Sequence, residues 1–460
     1  MDEQTLRVKD DFTKGPIVGP LIRFSLPLML GLLFQQLYNT VDTVVVGRFV
    51  GKEALAAVGS TSSIINMLVG VSAGLSTGAS VVISQFYGAR DSRRLSQAVH
   101  TTMAITFLLC VLATAVGMWM VTPMLHLMDT PEDVFAMAQS YLTIYFAGIG
   151  GLLVYNMGSA ILRAVGDSRR PLYFLCVSAI LNIVFDLLFV VVFHWGVEGV
   201  AIATIVSQFL SAALVLYVLS RDPAAYGLRW RMLSLKRDMV GRIFSLGLPA
   251  SVQQGLTAFS NVFVQSYINF FGSACMAGWS SYNKLDAFIL VPIQALGLAA
   301  TTFVGQNYGA RHMHRARQGT RIALAMAVSV AVALMILVMV FAPQLVSLIS
   351  PEADVIAYGV TFLRLISPFY AMMCFNQIMA GALRGIGLAK SPMFIMLFSF
   401  VFFRQGYLLA VRALGNDLTL VTLAYPIGWV VCSALLYVGY RRSQLCRAQD
   451  EPGIQEEALE

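Results

Sequence analysis

Twelve long apolar runs, separated by short polar or proline- and glycine-bearing breaks, occupy almost the whole chain. Their approximate limits are 17–50, 54–84, 96–121, 134–164, 171–194, 197–220, 239–271, 274–305, 318–342, 353–385, 391–413 and 417–440. About 20 apolar residues suffice for a helix to cross a bilayer, and a helix satisfies its own backbone there. Several runs exceed that length, so those helices are expected to tilt or protrude. Composition agrees: 58% of residues are hydrophobic and 12% charged, where a soluble domain has roughly 45–50% and 25%. The pattern predicts an all-α integral membrane protein with twelve transmembrane helices.

The basic residues orient it. With the N-terminus, the even-numbered connections and the C-terminus placed on one side, nearly all of the 31 Lys and Arg residues fall there. Only Arg48, Lys52 and Arg412 lie opposite, and Lys284, Arg364 and Arg404 fall within spans. By the positive-inside rule both termini are cytoplasmic. The net charge of +7 is therefore topogenic, and nucleic acid is not an expected partner. Six scattered cysteines, with no CxxC and no His pairing, suggest neither a disulfide framework nor a metal site. The first apolar run lacks a short h-region with a cleavage signal and reads as a retained span.

The chain repeats itself. YGAR at 87–90 returns at 308–311, and ILRAVGDSRRP (161–171) aligns with ALRGIGLAKSP (382–392), both 221 residues on. FSLPLMLGLLFQQ (24–36) echoes FSLGLPASVQQ (244–254) with a small slip. Six spans per half is an even number, so the halves share one orientation and should be related by an axis along the membrane normal. The expected segments are a cytoplasmic N-terminal stretch (1–16), a first six-helix bundle (17–220), a basic cytoplasmic linker (221–238), a second bundle (239–440) and a cytoplasmic tail (441–460).

Polar residues inside spans are costly and point to function. LNIVFDLLFV (181–190) places Asn182 and Asp186 four residues apart, on one helix face. Gln35, Tyr38, Asn39 and Asp42 make a second stripe on span one. Asn156 interrupts span four and Thr204 lies early in span six. Each has a structural alternative: Asp42 as a helix cap, Asp186 as a partner of a neighbouring helix, Asn156 and Thr204 as packing polar groups. At the repeat offset Asn182 becomes Phe403, Asp186 becomes Tyr407, Asn156 becomes Gln377, Thr204 becomes Tyr425, and Asp42 falls on Val262 or Phe263. Folding needs should act alike on both halves, so the asymmetry suggests a task confined to the first. The five side chains offer the oxygen ligands that Na+ would be expected to favour. For H+, desolvation and a neighbouring like charge both favour the neutral acid, and two such acids titrate as a unit. In the second half, Asp286 is either a cation or substrate contact or, more simply, the partner of Arg404 or Lys284. Arg404 and Arg364 are expected to face protein or water.

PLMLGLLFQQLYNTVDTVVVG, SQFYGAR, YNMGSAILRAVGDSRRP, LNIVFDLLF, GVEGVAIATIVSQ and FVGQNYGAR together resemble bacterial MATE transporters, the multidrug and toxic compound extrusion family, over nearly the whole chain. The resemblance implies two six-helix bundles forming a V around a central cleft, and export of cationic or amphipathic compounds against inward H+ or Na+, with a lean towards H+. It places a cation site on Asp42, Asn156, Asn182, Asp186 and Thr204. Candidate substrate contacts are Gln35, Tyr38, Tyr141 and Asp286. Span seven has no acid where some members carry a Glu. No Walker pattern or HExxH appears, and no enzyme activity and no cofactor are expected beyond the coupling ion. Partners would be small amphipathic substrates and lipids around a monomer in the bacterial inner membrane. The rival reading is a flippase for a lipid-linked precursor, which should line its cleft with Arg or Lys; acids inside the first half argue against it.

Overall fold

The computed structural model describes residues 11–447, and these are helical with short turns. α1 (Val18–Val45) runs on through a π-helical turn, Val46–Val50, to α2 (Lys52–Gly88) and α3 (Ser92–Leu127). α4 (Glu132–Ala147) and α5 (Ile149–Ala164) follow, then α6 (Arg169–Leu187) with a second π turn, Leu188–Val192, and α7 (Gly196–Arg221). The second half begins with α8 (Arg237–Asn269), α9 (Ser273–Ile289), α10 (Val291–Gly309) and α11 (Met313–Ser347). It continues with α12 (Ala353–Ile366), α13 (Tyr370–Gly385) and α14 (Lys390–Leu397), then a third π turn, Phe398–Phe403, leading into α15 (Arg404–Ala413). α16 (Leu418–Arg442) and the short α17 (Gln444–Arg447) close the chain.

Among the described residues, ten helical segments are long and apolar enough to cross a membrane, and α4 with α5, bent by 45°, makes an eleventh. α8, of 33 residues, matches the seventh apolar run; Gln253, Gln254, Ser260 and Asn261 lower its hydropathy. Twelve spans in two groups of six, as the sequence predicts, account for the helices. Some spans are composite: α9 with α10, α12 with α13, and α14 with α15.

By packing, Leu26–Ser251 form one compact unit, and Asp11–Ser25 with residues 252–447 form another. That division differs from a single cut at the linker. The first turns of α1 belong to the second unit and the first half of α8 to the first. Each crossing point adjoins a proline inside the helix, Pro27 and Pro249, where the i→i−4 ladder is already interrupted.

The repeat is written in the backbone. Arg90 and Arg311, Gly166 and Gly387, Gly51 and Gly272, and His194 and Gly415 all adopt positive φ, each pair 221 residues apart. Arg90 and Gly166 end their helices in Schellman turns: the Asp91 N–H donates to Phe86 O and the Asp167 N–H to Leu162 O. Their counterparts repeat this, His312 to Asn307 O and Leu388 to Leu383 O.

Within the first unit, α2 meets the first half of α8 through GLSTG (74–78). A Cβ on Gly74 would run into the Ser251 backbone, and one on Gly78 into that of Gly247. Small residues four apart on both helices permit this approach, and Ser251 Oγ donates to Val71 O at 2.8 Å. The main apolar core lies at the linker end, where Val82, Val99, Ile161, Val215 and Met239 are buried together. A smaller cluster at the opposite end collects Val45, Val46, Tyr141, Val190, Val197 and Val200.

Candidate cation-coupling site

The smaller cluster covers one flank of the polar residues singled out in the first half. α6 carries Asn182 and Asp186, 2% and 0% exposed. α1 brings half-buried Asp42, with Tyr38 and Gln35 on the same face. The carboxyls of Asp42 and Asp186 lie within hydrogen-bond reach of each other. Yet both Asp186 oxygens and Asp42 Oδ1 are buried and accept no hydrogen bond, and neither amide atom of Asn182 has a partner. Among the described residues no ion pair joins either acid to a base. A direct hydrogen bond between two carboxyls needs a shared proton, because neither has a donor of its own when ionised. Buried polar groups are ordinarily satisfied, and this cluster of orphaned atoms is the candidate site.

Each acid stands just before a π turn: Asp42 four residues ahead of Val46, Asp186 two ahead of Leu188. Such turns often mark functional sites, and here both helices that carry the acids have one.

The remaining predicted residues are distributed unevenly. Tyr141 on α4 is 7% exposed and within electrostatic range of both acids. Tyr38 lies in reach of Gln35 and near Asp42. Thr204 on α7 is buried, and its hydroxyl donates to Val200 O of its own helix at 3.0 Å. Asn156 makes no hydrogen bond to either acid; its Nδ2 donates to Ser72 Oγ on α2 at 3.2 Å. Two residues escaped the sequence reading. Tyr145 is buried and in reach of Gln208, whose Oε1 is another buried atom without a partner. The signal was available: Tyr141 and Tyr145, and Thr204 and Gln208, are both i, i+4 pairs that extend one polar face.

In the second unit the expected pairing of Asp286 with Arg404 or Lys284 is not what forms. Asp286 Oδ1 accepts from the Tyr370 hydroxyl at 2.7 Å, with the Tyr282 hydroxyl also in reach. Lys284 is exposed, because two residues of separation put it on another side of α9. Buried tyrosines satisfy the acid with neutral donors and need no second desolvated charge. Arg404 is buried as expected; Arg364 is exposed.

The MatE family model matches residues 27–188 and 249–404. The probable multidrug resistance protein YpnP of Bacillus subtilis is 31% identical over 438 residues, covering 94% of this chain and 97% of that protein. An FAD transporter of Shewanella oneidensis is 24% identical over 446 residues, covering 94% and 96%. Among solved structures, the outward-facing conformation of a multidrug resistance MATE family transporter of the MOP superfamily is similar at a TM-score of 0.89. It shares 25% identity, and the match covers 96% of this chain and 98% of that one.

Proposed function

The chain belongs to the MatE family, a family of multidrug efflux transporters, and we propose that it is an antiporter exporting cationic or amphipathic compounds against inward flow of H+. The observation that carries this reading is the approach of the Asp42 carboxyl, whose Oδ1 is buried without a partner, to the fully buried carboxyl of Asp186. A shared proton is the simplest group that holds two carboxyls together. Na+ is the second reading, supported by the oxygen atoms of Asp42, Asp186, Asn182 and Thr204 on neighbouring helices.

Coupling follows from charge. With the proton bound, α1 and α6 are held at their acids. With the proton gone, two carboxylates about 4 Å apart at an effective dielectric of about 20 repel by about 4 kcal/mol. That is enough to shift a two-state equilibrium by about three decades. The π turns beside both acids supply slack for α1 and α6 to separate there. The loaded and unloaded chains then favour different access states, which is what alternating access requires. Gln35, Tyr38 and Tyr141 are assigned to substrate contact. The membrane assigned is the bacterial inner membrane, with both termini in the cytoplasm, on the distribution of Lys and Arg.

The test is flux of a fluorescent organic cation in proteoliposomes, with a pH gradient and a Na+ gradient imposed separately. Export driven by the pH gradient alone is expected. Export driven by Na+ alone would replace H+ by the second reading, and export indifferent to both gradients would refute coupling.

A further inference from the structure

The second unit contains a buried guanidinium that coupling does not use. Arg404 opens α15 directly after the π turn Phe398–Phe403 and is 3% exposed. Its Nη2 donates to Ser260 Oγ at 2.8 Å and to Asn261 Oδ1 at 2.9 Å, both on α8. Its Cζ lies 4.7 Å from the centroid of the Tyr425 ring on α16. Its Nε is buried and donates to nothing. Every one of these partners is neutral. Asp286 comes within electrostatic range of the same Tyr425, but its carboxylate is held by Tyr370 and no ion pair joins it to Arg404.

A charged side chain in a span costs at least about 2.5–3.5 kcal/mol, and here no opposite charge offsets it. The surroundings hold the guanidinium in place rather than neutralise it. Gln405 Nε2 donates to Ser260 O at 3.2 Å and to Ser260 Oγ at 3.0 Å, tying α15 to α8 beside the arginine. The Tyr425 hydroxyl reaches Asn261 Oδ1 at 3.4 Å. Two buried rings adjoin Tyr425, Trp279 at 5.6 Å and Trp429 at 6.4 Å between centroids.

The repeat sharpens the point. At the 221-residue offset Arg404 corresponds to Ile183, next to Asn182 and one turn from Asp186, and Tyr425 corresponds to Thr204. Arg404 therefore falls within a turn of the position equivalent to Asp186, and the two units carry opposite charge in this region: acids in the first and one guanidinium in the second. On the coupling reading the first receives a positive group and the second, by the same logic, a negative one.

We propose that Arg404, with Ser260, Asn261 and the rings of Tyr425 and Trp279, forms a subsite for an oxyanion, a carboxylate or phosphate, borne by an aromatic compound. The unpartnered Nε–H suits an oxygen of such a group, and the neighbouring rings suit a planar body. The assignment rests on the export reading only in calling the occupant a substrate. It widens the substrate class from cations to aromatic acids and zwitterions.

The test is calorimetric binding to the purified protein in phosphatidylcholine nanodiscs, using 2-naphthoate and its uncharged counterpart 2-naphthamide. The wild type is expected to bind the carboxylate at least tenfold more tightly than the amide. Arg404→Gln should abolish that preference and leave amide affinity unchanged, which also reports a folded variant; Arg404→Lys should keep part of it. Equal binding of the two probes by the wild type overturns the proposal without any variant, and so does a preference that survives in Arg404→Gln. Nanodiscs containing phosphatidylglycerol separate the sources of the anion: loss of the preference there assigns the site to a lipid headgroup and overturns the substrate subsite. No ion gradient enters the measurement, so failure of coupled export would leave this result standing.

Discussion

Asp186→Asn isolates the coupling argument, because it removes one charge and changes little else. Asp186 is fully buried, its two oxygens lack hydrogen-bond partners, and Asp42 is the group facing it. In the unloaded protein the two carboxylates repel by about 4 kcal/mol at an effective dielectric of about 20. Asparagine abolishes that repulsion and with it the difference between loaded and unloaded states. At 1.4 kcal/mol per decade, about 4 kcal/mol is a loss of about a thousandfold in ion-driven flux. The thermal stability of the variant in detergent should equal or exceed that of the wild type, since a buried, unpaired charge has gone. The assay is proton uptake into proteoliposomes on addition of substrate, with flux and apparent melting temperature measured on the same preparation. Asp42→Asn should behave alike, and the double variant should be no worse than either single one, as expected of two residues that act as a unit. Wild-type flux in Asp186→Asn, or losses that add in the double variant, would refute the pair.

Three further outcomes are expected. Gly78→Val should lower folded yield and apparent melting temperature sharply, because its side chain meets the Gly247 backbone and overpacking costs about 1–3 kcal/mol or more; Gly255→Ala on α8, with nothing within 4 Å of the added carbon, should lie within about 0.5 kcal/mol of wild type. In the linker, burial and the Asp222 carboxylate push the Tyr226 phenol above its ordinary pKa, so it remains a donor to Asp222 Oδ2 at 2.9 Å. Tyr226→Phe should therefore cost about 1.5–3 kcal/mol, whereas Arg170→Ala, which breaks a 3.0 Å pair whose arginine side chain is 43% exposed, should cost about 1 kcal/mol or less; the reverse order of apparent melting temperatures would contradict this. Arg315 donates to the carbonyls of Phe12, Lys14 and Gly15, so Arg315→Ala should speed tryptic cleavage after Lys14 by about tenfold, and an unchanged rate would show that Phe12, packed on Phe24 and Phe303, holds the segment alone.

Much of this was legible in the sequence. Lipid admits few structures, so apolar run length reads directly as a span, and the cost of a charge in a span makes Asp42, Asp186 and Arg404 conspicuous. The repeat was equally visible, since YGAR and the glycine of RAVG occupy helix ends where the chain must turn into the left-handed region. The partners of polar groups were not legible in the same way. A helical sequence shows which residues share a face, but the face a helix turns towards its neighbours depends on its rotation, and close approaches set that rotation. The Asn156 amide donates to Ser72, and the Asp286 carboxylate accepts from Tyr370 with Tyr282 in reach rather than pairing with a base; neither partner follows from helical spacing.

The sequence by itself determined a twelve-span, two-fold-repeated helical membrane protein with acids in one half and a guanidinium in the other. Each of those properties follows from local composition and from the price of charge in lipid. Tertiary structure decided that Asp42 and Asp186 meet, that Tyr145 and Gln208 join their surroundings, and that α1 and α8 change units beside Pro27 and Pro249. These depend on helix rotation and on backbone contact at residues such as Gly74 and Gly78, which no single stretch of sequence specifies.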